Sequence, residues 1–153
     1  MLCEQKTSDV QRRKIQVYQE TMRSIWQREQ IYYCDSPECD LSEAGYRLGK
    51  RLLASKAEFT GLIAANDLLA IGALGAMKEM GMRVPEQVSI VGYDGINASA
   101  LPLIGLTTMA LPRIKMAEKI IDILRRHAMN PESAPEHYLV KPELIIRSST
   151  SLR

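Results

Sequence analysis

The stretch from Phe59 to Gly95 admits few folds. An apolar run, "FTGLIAA", leads into a helical pattern, "DLLAIGALGAMKEM", a stop at Gly81, the loop "MRVPE" and a second apolar run, "QVSIVGY". Neither run alternates polar with apolar residues, so a strand formed from it must be covered on both faces. Two strands joined by a helix lie parallel, because a parallel pair needs a long crossover whereas an antiparallel pair needs only a turn. The expected fold class is therefore α/β, a parallel sheet with helices on both faces. The chain has 153 residues, 46% of them hydrophobic, enough for the core of one domain.

The flanking segments fit the same scheme. Ser8 followed by Gln11 has capping-box form, and Ile15, Tyr18, Met22 and Ile25 recur at helical spacing, which predicts a helix from Asp9 to Arg28. A short strand in "QIYY" and a loop holding Pro37 come next, then a helix in "EAGYRLGKRLLAS" whose Gly45 and Gly49 suggest close packing. Beyond Gly95 the pattern predicts a loop and a strand in "GLTTMAL". A helix then enters at Pro112, where a missing N–H costs nothing, and it leads to a Pro-rich turn and a final strand in "HYLVKPELIIRS". The run "SSTS" reads as a polar tail.

Composition excludes several classes. Twenty Lys and Arg balance 18 Asp and Glu to give +2, and the basic residues are dispersed, so this segment has no electrostatic footprint for DNA. Cys3, Cys34 and Cys39 lack CxxC spacing, and with only His127 and His137 beside them they form no metal pattern; reduced cytosolic thiols are expected. The opening "MLCEQKTSDVQRRK" lacks a signal-peptide core and no window is long and apolar enough for a membrane helix, which points to a cytoplasmic protein without a membrane partner. There is no GxSxG, no Walker loop, no GxGxxG and no HExxH, so neither an enzyme nor a cofactor is expected.

The candidate function lies where the apolar runs end. "GLIAAND" and "SIVGYDG" each finish in a short polar side chain, and in open α/β sheets ligands bind beyond the carboxyl ends of the strands. Asn66 offers an acceptor and two donors and Asp94 only acceptors, a pairing suited to neighbouring hydroxyls of a sugar or nucleoside. The same residues also suit a helix cap at Asn66 and a turn at Asp94 beside Gly95, and sequence leaves both readings open. The intervening helix is apolar almost all round, so it needs burial on two sides, either against another helix of the chain or against a second subunit. The later helix "IKMAEKIIDILRR" has a clear polar face and belongs on a surface.

From Phe59 to Thr108, "LIAANDLLAIGALGAMKEMGMRVPEQVSIVGYDG" followed by "GLTTM" closely resembles the effector-binding core of the LacI/GalR family of bacterial transcriptional regulators. "LSEAGYRLGKRLL", "PRIKMAEKIIDIL" and "PELIIRSST" extend the likeness over most of the chain. The resemblance implies an incomplete, periplasmic-binding-protein-like type I fold: a three-layer parallel sheet with helices on both faces. Residues 1–111 and 137–153 would form mainly the C-terminal subdomain, and 112–136 would normally belong to the N-terminal one, with no helix-turn-helix headpiece present. It further implies a homodimer that binds a sugar or nucleoside/purine effector and reaches DNA only through such a headpiece. A periplasmic-type solute-binding protein for sugar uptake is the alternative. By motif, Asn66 and Asp94 face the effector cleft, and Lys14 takes the place of an effector-binding arginine, with Arg13 one residue away. Asp40 falls where members place a ligand-facing side chain. A lysine lacks the planar fork of an arginine. The helix after Pro112 would lack its partner subdomain, which implies self-association or a changed position for its apolar face.

Overall fold

Both apolar runs form strands, and they lie side by side and parallel. In the computed structural model, which describes residues 1–4, 8–35, 40–55 and 57–152, β3 (Gly61–Ile63) pairs with β4 (Ser89–Asp94) with Leu62 opposite Ile90. β4 pairs in turn with β5 (Thr107–Ala110), also parallel. β1 (Leu2–Cys3) pairs with β2 (Tyr32–Tyr33), and a bridge from Leu2 to Ala64 together with the Ala65 N–H on the Leu2 carbonyl (2.9 Å) joins this pair to β3. The strands thus run β2-β1-β3-β4-β5-β6 across the molecule. The expected loop at Pro37 and the thiol of Cys39 fall outside the described residues.

The last strand departs from the expected parallel arrangement. β6 covers only Glu143–Ile145 and is antiparallel, with Glu143 opposite Ala110. The chain leaves β5 at Ala110, runs through α4 (Arg113–Met129) and returns to the sheet at the end it left, without a crossover over a sheet face, so it re-enters in the opposite direction. "SSTS" is not a polar tail. Ser149 is 2% exposed and wedged between β4 and β5: its carbonyl accepts the Ile90 N–H (2.8 Å), its N–H donates to Gly105 (2.9 Å), and its hydroxyl donates to Ile90 (2.6 Å) and accepts from the Thr107 N–H (2.8 Å). Strands β4 and β5 diverge there, and a short polar residue closes the gap.

Helices α2 (Leu41–Ala54) and α3 (Asp67–Glu79) cover one face of the sheet. A Cβ on Gly92 of β4 would overlap the Asp67 carboxylate, so the even-numbered side chains of β4 face α3. The odd side faces α1 (Asp9–Ser24), because the Lys14 ammonium lies 3.4 Å from the centre of the Tyr93 ring. Leu48, Leu52, Leu69, Ala73, Met77 and Ile90 are at most 2% exposed and form the centre of the core. Each of the Leu, Met and Ile side chains among them contributes about 1.5–3 kcal/mol of transfer free energy. The helices touch through glycines: a Cβ on Gly45 would overlap the Leu69 carbonyl, and one on Gly72 the Ser42 carbonyl. The all-round apolar helix is therefore buried on the sheet and on α2, leaving Leu68 exposed while Ile71 packs partly against the core.

α1 stops at Ser24, short of Arg28. Trp26 adopts φ 56°, and the Gln27 N–H closes on the Met22 carbonyl (2.9 Å), turning the chain back toward β2, where the Tyr18 hydroxyl donates to the Gln30 carbonyl (3.2 Å). α4 has no buried residue, and its apolar side chains Ile114, Ile121 and Leu124 are all more than 60% exposed. Cys3 and Cys34 are buried, and burial raises the Cys3 thiol to about 11, which keeps it protonated at neutral pH.

Candidate functional site

The polar side chains of the site stand just past the carboxyl ends of the parallel strands. Glu4 comes directly after β1, Asn66 lies shortly beyond β3 and Asp94 closes β4, so the sheet order brings three polar side chains to one end of the molecule. α1 supplies a fourth group from above, Lys14.

Asn66 serves two roles. Its side-chain oxygen accepts the Leu69 N–H (2.9 Å) and so caps α3, while its amide nitrogen donates to the Glu4 carboxylate (2.5 Å). The cap and the contact with Glu4 coexist because an Asn side chain can accept and donate at once. Asp94 sits at φ 114°, a conformation that side chains other than glycine seldom take and that Asn and Asp tolerate better than most. Its carboxylate accepts no hydrogen bond among the described residues. Burial raises its pKa above the usual carboxylate range, Lys14 acts against that, Asp67 and Glu4 add to it, and Arg113 acts against it.

Lys14 is half-buried, with its ammonium on the Ala65 carbonyl (3.0 Å) and over the Tyr93 ring. Burial lowers its pKa, and the charges of Asp94 and Glu4 partly restore it. Beneath this group lies Asp67, wholly buried, whose two oxygens accept the Ile96 N–H (2.8 Å) and the Thr108 hydroxyl (2.6 Å). Asp67 thereby pins the loop after Asp94 to β5. Arg113, at the start of α4, donates to the Gly95 carbonyl (3.0 Å) and closes the far side.

Two of the residues named from sequence stand differently. Arg13 is exposed on α1, a residue's rotation away from Lys14. Asp40 is exposed and caps α2, with one oxygen accepting the Ser42 N–H (2.9 Å), the Ser42 hydroxyl (2.5 Å) and the Glu43 N–H (3.0 Å); the Ser42 hydroxyl bond, then the Glu43 amide, hold its pKa down. Glu4, Tyr93 and Asp67 are parts of the site that sequence reasoning missed. Glu4 obeys the rule that singled out Asn66 and Asp94, a polar residue just past a strand, but a two-residue strand is too short to show a periodicity. Among the described residues no three His, Cys, Asp or Glu side chains gather as a metal would require.

As chemistry, the group offers free carboxylate acceptors, an ammonium and an aromatic face at the mouth of a parallel sheet. Such a set is chemically suited to accepting the hydroxyls of a small molecule.

A family profile described as periplasmic binding protein-like domain matches residues 1–150. The HTH-type transcriptional repressor PurR of Haemophilus influenzae is 38% identical over 110 residues, which is 70% of this chain and 33% of that protein. The PurR of Escherichia fergusonii is 34% identical over 109 residues, 71% of this chain and 32% of its own. Among solved structures, a LacI-family transcriptional regulatory protein from Corynebacterium glutamicum superposes with a TM-score of 0.80 at 30% identity, covering 99% of this chain and 58% of that one. A LacI family transcriptional regulator from Enterococcus faecium with bound ribose gives 0.83 at 25% identity, over 98% and 55%. The chain thus spans about a third of the curated relatives and little over half of the solved regulators.

Proposed function

The chain belongs to the periplasmic binding protein-like domain family in its LacI/GalR regulator form, and on that premise we propose that it forms one wall of an effector cleft in a bacterial ligand-responsive transcriptional regulator. The observation that carries this reading is the convergence of Glu4, Asn66 and Asp94 beyond adjacent parallel strands, with Lys14 above them. Asp94 accepts ligand hydroxyls, Asn66 shares its remaining N–H, and Lys14 donates to a ligand oxygen; Arg13 and Asp40 take no part. The effector is a sugar or nucleoside-like small molecule, in line with the ribose held by one neighbour.

In this reading the chain regulates and does not catalyse, it works in the cytoplasm, and DNA is engaged by a helix-turn-helix headpiece outside residues 1–153. Residues 112–136 belong with the opposite subdomain, which accounts for an α4 that buries nothing here. An isologous homodimer would cover Leu68 on α3 together with Leu101 and Leu103, which the Lys78 ammonium ties to α3 through the Leu103 carbonyl (2.6 Å).

Thermal-shift titration of the chain with ribose, other free sugars and nucleosides tests the reading. A ligand should raise the melting temperature of the wild type by several degrees at saturation and do nothing for Asp94→Ala or Lys14→Met. A rise that both variants retain in full contradicts it.

A further inference from the structure

Asp94 owes its position to residues that no ligand can reach. The ladder between β4 and β5 ends where the Leu111 N–H meets the Asp94 carbonyl (3.4 Å), and from there the chain is held by side chains of other elements. The Gly95 N–H donates to the Thr108 hydroxyl of β5 (3.3 Å), and that hydroxyl donates to one oxygen of Asp67 at the start of α3 (2.6 Å). The other Asp67 oxygen accepts the Ile96 N–H (2.8 Å). On its far side the Ile96 carbonyl accepts from the Ser99 hydroxyl (2.7 Å), itself held by the Arg147 guanidinium (3.2 Å). Asp67, Thr108 and Ser99 are all 0% exposed. Two consecutive residues stand in the left-handed region, Asp94 at φ 114° and Gly95 at φ 68°. A residue with a side chain keeps such a conformation only where its surroundings over-determine it.

On the reading of the cleft as an effector site, we infer that Asp67 and Thr108 are its positioning residues: together they hold Asp94 in the left-handed conformation and so fix where its carboxylate stands, although neither touches a ligand. Fold stability alone gives little reason for the arrangement. A buried carboxylate is costly to desolvate, and an apolar pair of the same shape at positions 67 and 108 would serve packing as well. What the polar pair adds is an acceptor for each of two successive N–H groups, and those two bonds set the direction of the peptide planes that follow Asp94. The fit is close, since a Cβ on Gly92 would overlap the Asp67 carboxylate, which therefore has no room to shift toward β4. Without the two bonds Asp94 is free to take a negative φ. That rotation turns its side chain away from Lys14 and Glu4, the charges it now stands among.

The test uses the intact, isotope-labelled chain, with ribose as the probe. In the wild type the three-bond coupling between the Asp94 amide and α protons should be small, as its positive φ dictates, and the Gly95 and Ile96 amides should exchange slowly. Thr108→Val removes the hydroxyl at nearly constant shape, and Asp67→Ala removes both carboxylate acceptors. Each should enlarge the coupling, speed the exchange and weaken ribose binding by at least about tenfold. Thr108→Ser keeps the hydroxyl and should match the wild type on every readout. Leu52→Val loosens the core near Phe59 and Gly61, so it should lower the melting temperature yet leave coupling and affinity unchanged. That is the pattern Thr108→Val would show if its role were stability alone. If Asp67→Ala does not fold, Thr108→Val decides by itself. A folded Thr108→Val with the wild-type coupling overturns the inference, and so does one with an altered coupling and undiminished ribose affinity. An altered coupling in a chain that binds ribose neither as wild type nor as any variant supports the hold on Asp94 and counts against the effector reading alone.

Discussion

Asp94 combines two local costs, a φ of 114° and a carboxylate that burial makes reluctant to ionise. Its folded pKa lies above the unfolded value, so the native state holds the proton more tightly, and stability falls as pH rises through the window between the two. Asn tolerates the same backbone and carries no charge. Asp94→Asn should therefore stabilise the chain at neutral pH by a few tenths to about 1 kcal/mol, discounted because the group is only half-buried. The gain should vanish below the usual aspartate pKa of about 3.9. Urea denaturation of both proteins at neutral and acidic pH checks this, and a variant less stable at neutral pH contradicts it. A residue that destabilises its fold at the mouth of a cleft is what a binding role predicts.

At the scale of elements, the contact between α2 and α3 depends on glycines where the helices approach too closely for a Cβ. Because the obstacle at Gly72 is the Ser42 carbonyl, a backbone atom, the helices must separate to accept Gly72→Ala. The substitution should cost about 1–3 kcal/mol despite alanine's better helix propensity, read as a lowered denaturation midpoint. An unchanged or raised midpoint contradicts the packing. Gly45 and Gly49 were visible in the sequence as close-packing marks, and the strand–helix–strand unit was legible because non-alternating apolar runs fix both element type and burial. The early end of α1 was not, since Ile25 and the residues up to Arg28 continue the helical pattern while the turn at Trp26 is set by contacts between Tyr18 and Gln30. Nor was the antiparallel β6, whose direction is dictated by where the chain re-enters the sheet, or the place of Ser149, which is fixed by strands β4 and β5 far from it in sequence. The site was half legible. Asn66 and Asp94 stand at the ends of long apolar runs, but Glu4, which accepts from Asn66, and Tyr93, which lies under Lys14, are set by strand order and by the face of β4 that α1 covers.

For the whole molecule, the same fold that gathers the candidate site also leaves Leu68, Leu101 and Leu103 exposed. If a second copy covers them, light scattering should report a dimer that Leu68→Asp combined with Leu103→Asp converts to monomer without loss of helical signal. A monomer at high concentration, or a dimer indifferent to both changes, contradicts that interface. Effector binding itself requires that a hydroxylated small molecule sit at the carboxyl ends of β1, β3 and β4. An amide chemical-shift titration with the tightest neutral ligand from the thermal-shift series locates it residue by residue. The largest shifts are expected at residues 4, 14, 64–67 and 93–96, and they should disappear in Asp94→Ala. Saturable shifts centred elsewhere, with those positions unmoved, would contradict binding at this end of the sheet.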